Sequence, residues 1–205
     1  NKVGLKKYYE TEKNIYDILL GLNKYKKTWN FKTEEGIKQA EDQQGFKYTD
    51  EQIEIIKKSL ENNVSIICGY SGTGKTSIAR GLLNIYHCSG YSIAATAFSA
   101  KAAQRIQEAT GFPSSTIHRL LGAQGNTIFQ YNANNPLIAD VIFLDEASMV
   151  NASIFYNLVS AIKLGSRIII CGDNRQLPPI GYGNIFDNLL DKTDSFTVHK
   201  LTHVH

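Results

Sequence analysis

One glycine-rich segment has the residue types and spacing of a phosphate-binding loop. Residues 69–76 read Gly-Tyr-Ser-Gly-Thr-Gly-Lys-Thr, which satisfies G-x-x-x-x-G-K-[ST] and follows a short β-branched run. Glycines let such a loop turn its backbone N–H groups around phosphate oxygens, and the next helix adds its N-terminal dipole. A glycine-rich turn that binds nothing is the structural alternative. The residues predicted to hold a nucleotide are Gly69, Ser71, Gly72, Thr73, Gly74, Lys75, Thr76 and Ser77.

An acidic pair supplies the residues that hydrolysis of a bound triphosphate would need. The apolar run 141–144 delivers Asp145 and Glu146 at its carboxyl end, where parallel sheets present their ligands. We expect Lys75 to meet the β- and γ-phosphates, and Thr76 and Asp145 to hold Mg²⁺. Glu146 is expected to take the proton of the attacking water. Surface carboxylates that end a strand are common, so the pair indicates hydrolysis only in combination with the glycine-rich loop.

A third segment, residues 172–181, reads Gly-Asp-Asn-Arg-Gln-Leu-Pro-Pro-Ile-Gly and follows the apolar run 167–171. An exposed amide such as Gln176, placed beside the γ-phosphate, can respond to its presence and loss, and the prolines stiffen the segment behind it. The catalytic residues predicted on these grounds are Lys75, Glu146 and Gln176. An ordinary turn that contains prolines is the alternative for this segment.

The elements that must position these residues alternate between strand and helix. Short β-branched runs predict strands over 64–68, 92–97, 141–144, 167–171 and 196–199, separated by helical segments. This rhythm is typical of βαβ units, so we expect a parallel sheet with helices on both faces. A helix over 77–86 is predicted directly after the glycine-rich loop.

The first fifty residues predict helices and no chemistry. Ile15, Leu19 and Leu22 fall on one face of a first helix. Thr33 is expected to cap a second helix that ends near residue 41. The stretch 49–52 is expected to start a third, which places Ile53, Ile56 and Leu60 on one face.

Composition excludes several classes of protein. The 205 residues carry 22 Lys and Arg against 19 Asp and Glu, a net charge of +3. This composition does not predict a strongly basic nucleic-acid-binding face. The longest aliphatic runs are far shorter than the roughly 20 residues that span a bilayer. We expect no signal peptide, and the three cysteines lack metal-ligand spacing, which favours a reducing compartment. We therefore expect a cytoplasmic protein without a membrane partner.

Four motifs in a fixed order carry a resemblance to a known family. Residues 69–76, Thr-Ile-His-Arg-Leu-Leu-Gly at 116–122, Asp-Glu-Ala-Ser-Met-Val at 145–150 and Gly-Asp-Asn-Arg-Gln-Leu-Pro-Pro at 172–179 together resemble the motifs of RecD-like superfamily 1 DNA helicases. The resemblance covers residues 49–202 and implies an α/β fold. The implied unit is a P-loop NTPase RecA-like domain at 49–205, preceded by a small helical region at 1–48. Residues 123–135 are either a simple loop or the small hairpin that members of the family insert at this place.

The resemblance also implies a function and further site residues. It implies an ATP- and Mg²⁺-dependent translocase that moves 5′ to 3′ on single-stranded DNA. By the same resemblance Gln52 reads adenine and Gln176 senses the γ-phosphate. Members of this family use a second RecA-like domain, whose motifs this sequence lacks, so we expect an N-terminal portion of a larger helicase that hydrolyses ATP poorly on its own.

Contacts with DNA are predicted after the second strand and within the second of the four motifs, at 116–122. Residues 97–103 occupy the place of the family's Pro-Thr-Gly run but depart from it at 98–100. A hydroxyl at a helix start can bind a DNA phosphate, and an aromatic ring can stack on a base. A core aromatic is the equal alternative for Phe98. The predicted DNA-binding residues are Phe98, Ser99, Lys101, Thr116 and His118.

Two other functions stay open at this stage. One is a P-loop ATPase that remodels RNA or protein. The other is a nucleotide-binding subunit of a nuclease complex, whose ATP site only stabilises an assembly. Stimulation of ATP turnover by single-stranded DNA distinguishes a helicase motor from both.

Overall fold

The structure, a computed structural model, describes residues 6–70, 72–125 and 128–201. Its strands are β1 (Val64–Gly69), β2 (Ile93–Ala97), β3 (Ser114–Thr116), β4 (Ala123–Gln124), β5 (Ile128–Phe129), β6 (Val141–Asp145), β7 (Arg167–Gly172) and β8 (Thr197–Leu201). Six of them form one parallel sheet in the order β3-β2-β6-β7-β1-β8. Every carboxyl end in this sheet therefore lies at the same edge, where ligands of open α/β sheets bind.

Helices cover both faces of the sheet, which confirms the predicted α/β class. The helices are α1 (Lys6–Lys24), α2 (Thr33–Gln44), α3 (Asp50–Ser59), α4 (Lys75–Cys88), α5 (Ala100–Thr110), α6 (Ile117–Leu120), α7 (Ala152–Ser160) and α8 (Ile185–Leu190). A 3₁₀ turn spans Ala147–Met149. Helices α1, α7 and α8 pack on one face, and α2 to α5 pack on the other.

The central strands alternate between two buried cores. In β7, Ile168 and Ile170 enter the core beneath α1, while Ile169 and Cys171 enter the core beneath α4. Each strand is buried on both faces because helices cover both, and this is why these strands read as continuous apolar runs. The predicted apolar face of the first helix is confirmed, since Ile15 and Leu19 are fully buried in the first core.

Two local features differ from the sequence predictions. Thr33 does not cap α2: the N-cap residue is Lys32, and no side-chain cap forms there. Strand β3 was not predicted, because its three residues are polar and half-buried. It pairs with β2 at the edge of the sheet, and Thr116 at its end also caps α6 by accepting a hydrogen bond from the Arg119 backbone N–H at 3.2 Å.

The segment that follows α6 carries a short antiparallel pair. Strands β4 and β5 pair Ala123 with Phe129 and Gln124 with Ile128. The backbone N–H of Tyr131 donates to the Leu121 carbonyl, which returns the chain to the body of the protein. In the described part of the chain no helix is long and apolar enough to cross a membrane.

Candidate functional site

A cleft of about 590 Å³ opens at the carboxyl edge of the sheet, and we call it the central cleft. Strands β1, β6 and β7 end beside it, and α3, α4 and α5 contribute its walls. Its lining residues are Phe46, Lys47, Thr49, Gln52, Tyr70, Gly72, Gly74, Lys75, Thr76, Ser77, Ala79, Arg105, Ile106, Ala109, Thr110, Phe143, Asp145, Glu146, Cys171 and Gln176.

The loop between β1 and α4 depends on glycine at three positions. Gly72 and Gly74 adopt φ values of 83° and 85°, which side chains rarely tolerate. A Cβ at Gly69 would lie 2.5 Å from the Thr73 Oγ1, so that position is closed to larger residues. The buried Thr73 hydroxyl donates to the Tyr70 carbonyl at 2.7 Å and tightens the turn. Ser71, predicted to bind nucleotide, lies outside the described residues.

Helix α4 begins at the cleft with the predicted lysine. Lys75 is its first residue, and the Lys75 ammonium donates to the Gly69 carbonyl across the loop. Thr76 and Ser77 follow in the first turn and also line the cleft. The N-terminal N–H groups of a helix have no partners within it and carry a partial positive charge. The cleft therefore has a cationic floor that suits phosphate groups.

The carboxylate pair lies at the end of β6, facing the same cleft. The Asp145 Oδ1 accepts a hydrogen bond from the Glu146 backbone N–H at 2.8 Å. Glu146 has φ 51°, and it is the one positive φ among the described residues other than glycine. Such a backbone conformation stores strain and is found at functional sites more than elsewhere. Glu146 thus lines the cleft from a strained backbone position at the end of β6.

The environment of this pair favours the protonated carboxyls. Burial raises the pKa of Asp145 above its ordinary value, against the opposing effects of the Glu146 backbone N–H and the Lys75 and Arg105 charges. The pKa of Glu146 is also raised, first by burial and then by the Asp145 charge, while Arg105 and Lys75 oppose the rise. A carboxylate with a raised pKa is a better proton acceptor, which suits a general base.

Arg105 is a site residue that sequence reasoning missed. Its Nη1 lies 3.7 Å from the Glu146 Oε1, and its side chain is 64% exposed within the cleft wall. The two residues are far apart in sequence, and they meet because β2 pairs with β6, with Ala97 opposite Asp145. Helix α5 follows β2 directly and so carries its arginine over the acidic pair. No sequence motif marks this arginine; only the order of strands reveals it.

The segment after β7 is tied to the glycine-rich loop. Asp173 is buried, its Oδ1 accepts from the Arg175 backbone N–H at 2.9 Å, and its carbonyl accepts from the Gln176 backbone N–H at 3.2 Å. The Arg175 guanidinium lies 4.0 Å from the centre of the Tyr70 ring. The resulting tight turn places the exposed side chain of Gln176 at the cleft.

Gln52 enters the cleft from α3, where it also has a structural task. Thr49 caps α3, and the Thr49 Oγ1 accepts from the Gln52 backbone N–H at 3.2 Å. In return the Gln52 Oε1 accepts from the Thr49 backbone N–H at 3.1 Å, which completes a capping box. Within the described residues, the amide nitrogen of Gln52 makes no hydrogen bond. One half of this buried amide, the Oε1, is thus fixed, and the amide nitrogen is the half left for a ligand in the cleft that Gln52 lines.

The five predicted DNA-binding residues lie outside the central cleft, at the carboxyl ends of β2 and β3. Ser99 caps α5, and its Oγ accepts from the Ala102 backbone N–H at 3.1 Å. Ala97 pairs with Thr116, so one capping hydroxyl lies at the end of β3 and the other lies two residues beyond the end of the neighbouring strand β2. Of the remaining three, Lys101 is exposed, and Phe98 and His118 are half-buried. Phe98 packs against the first core, and the His118 ring lies 5.9 Å from the Phe129 ring of β5.

The cleft fits Mg²⁺ bound together with phosphate better than a metal held by protein alone. The described residues contain no group of three His, Cys, Asp or Glu side chains that could hold a metal ion. Magnesium in phosphate sites usually keeps waters and takes one or two carboxylates plus phosphate oxygens. The Thr76 hydroxyl and the Asp145 carboxylate line the same cleft and form a donor set of that kind.

The chain is similar in sequence to known proteins. Residues 47–205 match the sequence profile of a family described as an AAA domain. The chain is 32% identical over 135 residues to the ATP-dependent RecD2 DNA helicase of Deinococcus radiodurans, covering 66% of this chain and 19% of that protein. It is also 32% identical over 167 residues to the RecBCD enzyme subunit RecD of Haemophilus influenzae, covering 69% of this chain and 26% of the relative. The chain thus spans about a fifth to a quarter of the length of these relatives.

Solved structures share the fold. A structure of two coordinating Pif1 helicases that unwind forked double-stranded DNA superposes with a TM-score of 0.55 at 21% identity, covering 77% of this chain and 44% of that one. The Pif1 helicase of Candida albicans gives a TM-score of 0.52 at 23% identity, covering 77% of this chain and 40% of that one. The chain belongs to the AAA-domain family, and its ordered motifs are similar to those of the RecD-like superfamily 1 helicases among its relatives.

Proposed function

We propose that this chain is the ATP-binding and ATP-hydrolysing first motor domain of a DNA helicase or translocase that acts on single-stranded DNA. One observation carries the proposal: Lys75, Asp145, Glu146 and Gln176, from three strand ends, line a single cleft. A cationic loop, a carboxylate pair and an exposed amide are the groups that triphosphate hydrolysis requires. The relatives named DNA helicases support the choice of DNA as the track.

Binding of the triphosphate is assigned to the glycine-rich loop and α3. The backbone N–H groups of residues 72–77 would surround the phosphates, and Lys75 would neutralise the β- and γ-phosphates. The amide nitrogen of Gln52 would hydrogen-bond the adenine edge. Magnesium, held by Thr76 and Asp145, would supply charge neutralisation at the phosphates.

Hydrolysis is assigned to Glu146, with Gln176 as the sensor. Glu146 would accept the proton of the attacking water, a task that its raised pKa suits. Gln176 would hydrogen-bond the γ-phosphate and respond to its loss through the turn that begins at the buried Asp173. A second RecA-like domain would complete the site with an arginine directed at the γ-phosphate.

The DNA track is assigned to the adjoining edge of the sheet. The Ser99 and Thr116 hydroxyls, at the carboxyl ends of neighbouring strands, would donate to backbone phosphates, and Lys101 would add charge. Phe98 and His118 would stack on or contact bases. We propose residues 49–205 as the motor unit and residues 1–48 as a helical region that packs onto it.

Two measurements test this function. Calorimetry with ATP and Mg²⁺ should show binding that Lys75→Ala abolishes, and unchanged affinity in that variant would contradict the loop assignment. ATP turnover should rise with single-stranded DNA in a protein that carries this chain followed by a second motor domain. Absence of stimulation would refute the helicase assignment. Turnover that survives Glu146→Gln would refute the assignment of the base.

A subunit role is the second candidate, favoured by the name of one relative, the RecBCD enzyme subunit RecD. In that case the nucleotide site would act within an assembly of several chains. DNA-stimulated turnover that appears only after partner chains are added would favour this candidate over an independent motor. A P-loop ATPase that acts on RNA or protein remains the alternative if DNA has no effect under either condition.

A further inference from the structure

One phenylalanine that lines the central cleft has no role in the function proposed above. Phe46 lines the cleft together with Thr49 and Gln52, and its side chain is 53% exposed. A single exposed aromatic residue is unremarkable on a protein surface. This ring, however, lies in a binding cleft beside the residue assigned to the base of the nucleotide, and its backbone is held in place from several directions.

The segment that carries Phe46 is fixed at both ends. On one side Gly45 ends α2 in the left-handed conformation, and the Gln44 amide donates to the Phe46 carbonyl at 3.0 Å. On the other side the Tyr48 backbone N–H donates to the Glu41 Oε1 at 3.0 Å. The buried Tyr48 hydroxyl donates to the Ser77 carbonyl at 2.6 Å, which ties the segment to the first turn of α4. The Phe46 ring is thus presented from a rigid backbone.

The last turn of α5 also lines the central cleft, and it forms a second wall that is linked to the segment before Phe46. The Arg80 guanidinium joins the two walls: its Nη1 donates to the Gln44 Oε1 at 3.2 Å, and its Nε donates to the Ala109 carbonyl at 2.8 Å. One side chain therefore reaches both the residue two positions before Phe46 and the end of α5. Ile106 and Ala109 line the cleft from α5 with apolar groups. Phe46, Ile106 and Ala109 thus give the cleft apolar lining, and Gln52 gives it a polar group that can select a base.

We infer that Phe46 is the stacking surface for the base of the nucleotide in the central cleft, in a site completed by the last turn of α5 and the Gln52 amide. This inference rests on the proposed nucleotide site. A flat aromatic face gains dispersion and electrostatic attraction from a flat base, and the geometry requires no hydrogen bond of its own. Stacking would give affinity for any base, while the amide would give preference for adenine.

The test compares ligands with and without a base. ADP and tripolyphosphate both reach the phosphate loop, but only ADP has a base to stack. Calorimetry should show that Phe46→Ala weakens ADP binding by about tenfold, the loss expected for removal of one base–aromatic stack. Tripolyphosphate affinity should stay unchanged. Tyr9→Ala is the matched control, since Tyr9 is an exposed aromatic of α1 at 70% exposure and lies outside the cleft.

A second variant gives a spectroscopic readout. Phe46→Trp keeps an aromatic face, so it should retain ADP affinity within a few fold. The protein has a single native tryptophan, Trp29, which lies outside the central cleft. Emission from the introduced tryptophan should be quenched by ADP and not by tripolyphosphate, while emission of the unaltered protein should respond to neither.

The outcomes separate this inference from the proposed function. If ADP binds the unaltered protein and Phe46→Ala equally, the stacking role is overturned and the nucleotide site stands. If Phe46→Ala weakens ADP and tripolyphosphate to the same extent, the effect is on the loop and the stacking role is again overturned. If neither ligand binds the unaltered protein, the nucleotide site fails and the inference fails with it.

Discussion

Two helical glycines in this chain should respond in opposite directions to the same substitution. Gly36 lies in α2, and a Cβ there would be 2.4 Å from the Ile85 Cα and 2.6 Å from the Ile85 backbone nitrogen of α4. Gly21 lies in α1, and a Cβ there would meet nothing within 4 Å. Both glycines belong to helices, so the gain in helix propensity is similar and only the packing differs.

The magnitudes follow from these distances. Replacing a helical glycine by alanine stabilises a helix by about 0.5–1 kcal/mol, and Gly21→Ala should show this gain. At Gly36 the obstacle is backbone, which cannot rotate away, so α2 must move off α4. Overpacking costs about 1–3 kcal/mol, and a Cβ this close to backbone belongs to the upper half of that range, about 2–3 kcal/mol. After the propensity gain is subtracted, Gly36→Ala should lose about 1–2 kcal/mol.

Thermal and urea unfolding measure the difference directly. For a chain of 205 residues, 1 kcal/mol shifts Tm by about 2–4 °C. Gly36→Ala should therefore lower Tm by about 2–8 °C, while Gly21→Ala should raise it by about 1–4 °C. Equal or raised stability in Gly36→Ala would show that α2 and α4 do not approach as closely as the glycine implies.

Further predictions concern the acidic pair and one buried cation. Glu146→Gln should lower ATP turnover by about 10²–10⁴-fold with unchanged ADP affinity, measured by phosphate release and calorimetry. Arg105→Gln should move the acid limb of the pH–rate profile to higher pH: the Arg105 charge lowers the pKa of Glu146, so its loss keeps that carboxyl protonated further up the pH scale. An unmoved limb would contradict the ion pair. Arg167→Leu should cost about 1–3 kcal/mol in urea unfolding, because the buried Arg167 donates to the carbonyls of Leu60 and Asn62.

Sequence predicted the parts of the site in which local pattern and structure coincide. The glycine-rich loop, the helix that follows it and the apolar strand before Asp145 are contiguous segments whose pattern alone indicates their form. Strand β1 and helix α4 were predicted within one to two residues at their boundaries, and the apolar face of α1 was predicted from its period. Thr49 was predicted to start α3, and it forms the capping box with Gln52.

Features that depend on strand order were not predicted. Strand β3 is three polar residues long and exists because β2 offers it an edge. Arg105 reaches Glu146 because β6 inserts between β2 and β7, an order that no local pattern encodes. Phe46 belongs to the same class, since its place in the cleft depends on how α2 packs against α4. Long-range contacts of this kind require the topology as well as the pattern.

The three strand-end segments of the site are joined to one another by direct contacts. The Cys68 thiol at the end of β1 donates to the Asn174 Oδ1 at 3.4 Å, and Arg175 stacks on Tyr70, so the loops after β1 and β7 share two contacts. Beside them the Ser148 hydroxyl accepts from the Asp173 backbone N–H at 3.4 Å, which joins the segments after β6 and β7. The segment after β7 therefore contacts both of the other segments. A shift at Gln176 would reach the phosphate loop and the carboxylate pair through contacts that already exist, and this is the connection that a sensor of the γ-phosphate requires.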